Sequence, residues 1–322
     1  MIDADTIAAA AERIEPHITH TPLFRSDPLS ERHGADIVIK AEHLQRTGSF
    51  KVRGSANVVH SLDPALADEG VVTASSGNHG IGVATAAASR GLACTIYLPS
   101  GAAASKVDQI RRLGAQVEFV DSTDTSVAEM TARRTAAAQG LTYVSPYNDP
   151  AIVAGQGTIG KEILDDGPAP DAVVVSVGGG GLIAGIASWI KAKAPGTRII
   201  GASARNDRAM AASVAAGRIL TPDFAPTFSD GTAGGLEDDT ITFPICQQLV
   251  DEWVDISEVD IARGVVAMID DHHQLVEGSA GMAIAAATQY ATNQPGRRIV
   301  AVSCGANVGS EAIAAMVAAA RG

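Results

Sequence analysis

Lys51 lies in the run Thr47-Gly48-Ser49-Phe50-Lys51-Val52-Arg53-Gly54, between a segment that reads as a strand (Ala35 to Ala41) and one that reads as a helix (Val52 to Leu62). The spacing makes Thr47-Gly48-Ser49 the turn and Ser49 the expected N-cap. A lysine in a first helical turn faces unpaired N–H groups and the positive end of the macrodipole, both of which disfavour its charge. An amine held neutral is a nucleophile that can condense with a carbonyl group.

Two glycine-bearing loops stand at comparable places. Gly178, Gly179, Gly180 and Gly181 fall directly between the strand-like Ala172–Val177 and a helix reaching Lys193. Such a run is either a tight turn or an anion cradle of backbone N–H groups. Its position at a strand's carboxyl end favours a phosphate site. Neither the G-x-G-x-x-G fingerprint nor a Walker lysine is matched. Ser75-Ser76-Gly77-Asn78-His79-Gly80 occupies the equivalent loop after Val71-Val72-Thr73. Helix capping accounts for one serine, whereas two serines, two glycines and an asparagine together read as a functional loop. Its amides can hold a carboxylate, Asn78 can donate to a phenolate-type oxygen, and Ser76 can carry a proton.

Other candidates have plainer explanations. Cys304, at the end of the last strand-like segment, reads first as a small buried hydrophobe. His272-His273 are helix neighbours facing different ways, and His17 with His20 lacks a third ligand. Asp238-Asp239 reads as a solvated loop. Glu277 lies in an apolar, glycine-containing context and has a possible minor site role.

The elements that must position these residues alternate strand and helix from about residue 70 onward, as a parallel doubly wound unit does. A crossing rich in Pro and Asx residues, Ser145 to Pro150, separates this unit from a second series. Residues 203–245 read as loop-rich. The chain of 322 residues is 46% hydrophobic but only 4% aromatic, so the core is aliphatic and alanine-rich. A net charge of −12 argues against a nucleic-acid or anionic-membrane surface. Three cysteines without C-x-x-C spacing argue against a disulfide scaffold or a zinc ribbon. Without a signal-like N-terminus or a membrane-length apolar run, a cytoplasmic protein is expected.

Taken in order, Lys40 to Gly54, Ser75 to Gly80, Ala154-Gly155-Gln156-Gly157-Thr158-Ile159, Gly178 to Leu182 and Cys304 to Asn307 closely resemble the threonine/serine dehydratases. These are pyridoxal 5'-phosphate (PLP) enzymes of fold type II and include serine racemase. The match runs from about residue 17 to 310. The resemblance implies an α/β protein of two doubly wound domains with parallel sheets. Residues 1–62 plus 148–322 would form the large cofactor domain and 63–147 the small substrate-loop domain.

It also implies that Lys51 holds PLP covalently and later removes the α-proton. Phe50 would pack beside the ring, Asn78 would bond the ring hydroxyl, and Gly178 to Leu182 would hold the phosphate. Cys304 would close the site against the ring nitrogen. Ser75, Ser76, Gly77, Asn78 and His79 would receive the substrate carboxylate, with Ser76 on the ring face opposite Lys51. Gly231 would lie near the substrate amine.

Three departures stand out. Cys304 replaces a usual serine, which should leave the ring largely unprotonated and a moderate electron sink. Ser203-Ala204 and Ala209 lack the carboxylates that bind a divalent cation in some relatives, so no metal is expected. Ser145 replaces a common histidine. The expectation is an ammonia-lyase acting on L-threonine or L-serine, as a homodimer. A threo-3-hydroxyaspartate ammonia-lyase, a serine racemase and a dehydratase of ectoine-type catabolism are alternatives. A ligand-binding regulator without chemistry is the alternative from another class.

Overall fold

The computed structural model describes residues 2–322. Its strands are β1 (Leu23–Arg25), β2 (Asp36–Lys40), β3 (Val71–Thr73), β4 (Cys94–Pro99), β5 (Gln116–Val120), β6 (Thr142–Tyr143), β7 (Ala172–Ser176), β8 (Arg198–Ala204), β9 (Glu252–Ile256) and β10 (Arg298–Val302). They form a six-stranded sheet in the order β1-β2-β10-β7-β8-β9 and a four-stranded sheet in the order β5-β4-β3-β6. All pairings are parallel except β1 with β2, whose register sets Leu23 opposite Lys40. Every residue of β7 is buried, as expected of a central parallel strand covered on both faces. The expected α/β class with parallel sheets is therefore the class found.

Sequence reading was less complete elsewhere. The region 203–245 is more ordered than expected, with a helix at Ala209–Ala216, a 3-10 turn at Asp230–Thr232 and the start of the helix Thr242–Leu249. Alanine favours the first of these helices, and Gly217, at φ 69°, ends it in the left-handed conformation. Edge strand β9 also escaped the sequence. It is packed by Trp253, whose ring leaves no room for a side chain at Gly201. Ser49 is not the N-cap of the Lys51 helix (Lys51–Ser61). Phe50 holds that position without a side-chain cap, because Ser49 is drawn into a bridge with Gly305.

Three helices meet backbone to backbone, and this arrangement carries the site. The Lys51 helix crosses Pro150–Asp165 at Gly54 and Gly155, where a methyl on Gly155 would lie 2.7 Å from both the Arg53 oxygen and the Gly54 Cα. Pro150–Asp165 in turn crosses Gly181–Lys193 at Gly157 and Gly185, where a methyl on Gly185 would lie 2.3 Å from the Val153 oxygen. Glycine is required at these crossings because nothing larger allows the approach. The stack sets the first turn of the Lys51 helix and the tetraglycine loop in a fixed relation. Gly155→Ala is expected to force the first crossing apart and destabilise the protein by about 1–3 kcal/mol. Denaturant unfolding checks this, and an unchanged midpoint would mean that the helices do not approach so closely.

Candidate active site

Lys51 is the first residue of its helix, and its Nζ donates a hydrogen bond of 2.8 Å to the Pro146 oxygen. Burial is the main reason its amine falls from 10.5 to about 8; the neighbouring Cys304 and Glu277 groups pull it back upward. Sequence reasoning credited the helix terminus with this effect, but loss of water is the larger cause. Phe50 lies beside the amine, its ring centroid 5.3 Å from Nζ.

The mount beneath Lys51 is ionic. Arg53 is fully buried and bonds Glu42 through Nε and Nη2, each at 2.8 Å, and Glu162 through Nη1 at 2.6 Å. Lys40, also fully buried, reaches Glu162 and the Thr21 oxygen. Inside the fold two cations face two carboxylates, which balances the buried charge, while the more exposed Asp166 lies 3.7 Å from Lys40 at the rim. Removing any one member would strand a charge out of water. Sequence reasoning missed this cluster because its members come from four separate elements.

From Lys51 the contacts close into a ring. Pro146, which accepts from Nζ, is followed by Tyr147, whose ring packs on Gly179 so closely that a methyl there would lie 2.4 Å away, and whose Cβ and backbone pack on Gly181. Gly178 packs on Thr232, where a methyl would meet the carbonyl oxygen at 2.6 Å. The adjacent Gly231 faces Ser279 and an oxygen of Glu277. Glu277 accepts from Asn78 Nδ2 at 3.0 Å on each oxygen and from the Asn307 N–H at 3.2 Å. Asn307 Nδ2 donates to Asn78 Oδ1 and to the Thr47 oxygen. Ser49, two residues on, bridges to Gly305, and the Phe50 N–H donates to the Cys304 oxygen at 3.1 Å. The chain thus returns to Lys51.

The candidates therefore converge, with differences in detail. Gly180 takes φ 84° at the N-cap of Gly181–Lys193, a conformation suited to glycine, so the loop presents backbone rather than side chains to the helix start. Leu182 is buried in that helix's first turn. Ser75 Oγ accepts from the Gly77 N–H, and Asn78 begins the helix that follows. Ser76 is half-buried in this loop. His79 Nε2 pairs with the Val144 oxygen while Nδ1 has no partner among the described residues, and burial, with the nearby Lys51, pulls its imidazole down to about 3. Cys304 is buried, which pushes its thiol well upward. Glu277, given a minor role from sequence, is the carboxylate that joins three of the loops. Asn307 was read only as the end of the Cys304 motif, with no role of its own, and Thr232 was not singled out.

Other readings resolve simply. His17 stacks on His60, while His20 pairs with Asp166. His272 bonds Ser26, and His273 is the left-handed cap of its helix. Among the described residues, no group of three or more His, Cys, Asp or Glu side chains is arranged to hold a metal ion. No described helix is long and apolar enough to cross a membrane.

Burial raises the Glu277 carboxyl from 4.5 to about 7. Between these values the folded protein keeps a proton that the unfolded chain has lost. This group's contribution to stability is therefore full below pH 4.5 and falls as pH rises towards 7. In ligand-free protein, wild-type stability should fall relative to Glu277→Gln across that window, by on the order of 3 kcal/mol. Parallel stability curves for the two proteins would show a carboxyl that titrates as in water.

Comparison with known proteins places this geometry. Residues 14–305 match the family model described as pyridoxal-phosphate dependent enzyme. The chain is 38% identical to an L-threonine ammonia-lyase of Thermotoga maritima, over 96% of this chain and 76% of that protein. It is 37% identical to a beta-hydroxyaspartate dehydratase of Paracoccus denitrificans, over 94% of this chain and 96% of that protein. The processed threonine deaminase isoform 2 of Solanum lycopersicum superposes with a TM-score of 0.92 at 34% identity, covering 99% of this chain and 94% of that one. With its parallel sheets, its half-buried Lys51 at a helix start and its glycine loop, the chain belongs to the pyridoxal-phosphate dependent enzymes of fold type II.

Proposed function

We propose that this protein is a PLP-dependent ammonia-lyase that removes water from a β-hydroxy amino acid, L-threonine or L-serine, to give a 2-oxo acid and ammonia. One observation carries the reading: the Lys51 amine and the tetraglycine loop are held by adjacent residues, the amine by the Pro146 oxygen and the loop by Tyr147. The chemistry of these groups fits PLP. A buried amine with a lowered pKa suits an aldehyde, and a glycine loop opening a helix suits a phosphate. The names of the relatives support the reaction class.

When bound, PLP supplies the electron sink that lets a proton leave the α-carbon and the β-hydroxyl depart. The remaining tasks belong to the chain. Gly178 to Leu182 receive the phosphate on backbone N–H groups, and Asn78 donates to the ring oxygen. The amides of Ser75 to His79 receive the substrate carboxylate, with Gly231 near its amine. Lys51, at about 8, is matched to accept the α-proton near neutral pH. Ser76 offers a hydroxyl to the leaving group. Cys304 stays a thiol and is a weak partner for the ring nitrogen, which keeps the sink moderate. Residues 63–147, whose strands make up the four-stranded sheet, act as the substrate-loop unit, and 1–62 with 148–322 as the cofactor unit. A cytoplasmic homodimer completes the proposal, and light scattering reads the assembly state.

Purified protein should show the visible absorption of bound PLP, and Lys51→Ala should lose both that band and all keto-acid release. A panel of threonine, serine and 3-hydroxyaspartate, with chiral analysis of serine, tests the substrate. Release from 3-hydroxyaspartate alone, or racemisation without release, would replace the proposal with one of those readings. Cys304→Ser should retain activity within about threefold, since both groups are weak partners. Near-total loss would give the thiol a chemical role.

A further inference from the structure

The two ends of an asparagine amide have the same shape, so only their neighbours decide which end is the donor and which the acceptor. In this site the neighbours leave little choice. The Thr47 carbonyl can only accept, which turns Asn307 Nδ2 toward it at 2.8 Å. The same nitrogen donates to Asn78 Oδ1 at 2.6 Å, so Asn78 must present Nδ2 on its other side. There it meets Glu277, whose two oxygens each lie 3.0 Å from Nδ2. The Asn307 backbone N–H also donates to Glu277, so one acceptor terminates both residues. Glu277 is itself held by its own N–H, which donates to the Gly305 oxygen, and is buried to 3% exposure.

We propose that Glu277 is a positioning residue that, from the end opposite the Thr47 carbonyl, holds the direction of the Asn307–Asn78 hydrogen-bond chain, so that Asn78 enters the site as a donor. This rests on the reading that Asn78 meets the ring oxygen of PLP. An amide nitrogen carries two hydrogens, and Glu277 occupies one side of it, which leaves one for that oxygen. With the amide reversed, Oδ1 would confront the ring oxygen, lone pair against lone pair. Glutamine at 277 has the same size and a donor of its own, so the Thr47 carbonyl alone is left to hold the direction. Aspartate is shorter but, like Glu277 in its carboxylate form, accepts only. A packing role and a polarity role therefore rank these two variants in opposite order.

The test is PLP affinity and the visible spectrum of the bound cofactor, measured well above pH 7, where Glu277 is a carboxylate, for wild type, Glu277→Gln, Glu277→Asp, Asn78→Ala and the double variant Glu277→Gln/Asn78→Ala. Melting of each ligand-free protein verifies folding. Glu277→Gln is expected to weaken PLP binding about tenfold or more and to shift the spectrum, as loss of a charge-assisted bond does. Glu277→Asp should be less impaired than Glu277→Gln. In the Asn78→Ala background, Glu277→Gln should change affinity by less than about twofold, because the residue it acts through is gone. Equal factors in both backgrounds, or an aspartate variant worse than glutamine, would overturn the proposal. No substrate enters these measurements, so failure of the keto-acid assay leaves them readable. A wild type that binds PLP yet releases no keto acid would sink the lyase reading alone.

Discussion

Taking a lysine amine out of water is costly, and at Lys51 the protein compensates with one hydrogen bond to a backbone oxygen. The rest of the structure is arranged around that cost. An unheld side chain of four carbons would swing out to solvent. It stays inside because the helix that carries it cannot rotate or slide. Arg53, two residues on, is locked between Glu42 and Glu162, and Gly54 is pressed on Gly155. A neutral buried cluster and a glycine crossing give rigidity without placing a further charge next to the amine. That separation keeps Lys51 near the pH at which it can act as a base.

The loops around the amine depend on one another in the same way. Each is short of side chains at the point of contact, and the glycines at 178, 179, 181, 231 and 305 each abut a neighbouring residue. Contacts this close have little slack. Asn307 ties the turn before Lys51 to the loop at Asn78, and Lys51 itself ties its helix to Pro146. The Ser75–Gly80 loop follows β3 of the small sheet, while the glycine loop and Cys304 follow β7 and β10 of the large one. The site is therefore built at the carboxyl ends of strands from two sheets, where parallel α/β folds gather their loops.

Much of this was legible in the chain. The alternation of apolar runs with glycine-bearing turns gave the parallel sheets, because a strand buried on both faces must be continuously apolar. Lys51, Asn78 and the tetraglycine run were recognisable because each is expensive in an ordinary turn or helix start. Phe50 and Cys304 came through their motifs. By contrast, Ser49 was misjudged as a cap, since its bridge to Gly305 comes from residues more than 250 positions away. The short helix at Ala209–Ala216 was hidden in a loop-like context.

What the residues determined by themselves was the inventory: a reactive amine, an anion cradle, a polar loop and the strands that present them. Local physics suffices for that, since backbone N–H groups at a helix start and the conformational freedom of glycine depend on near neighbours. Only the tertiary structure decided which groups meet. It made burial the chief cause of the lowered amine pKa, paired the buried His79 ring with the Val144 oxygen, and raised Glu277 from a doubtful loop residue to the acceptor joining Asn78 and Asn307. Desolvation and hydrogen-bond direction depend on atoms brought together from distant parts of the chain, and no local pattern encodes them.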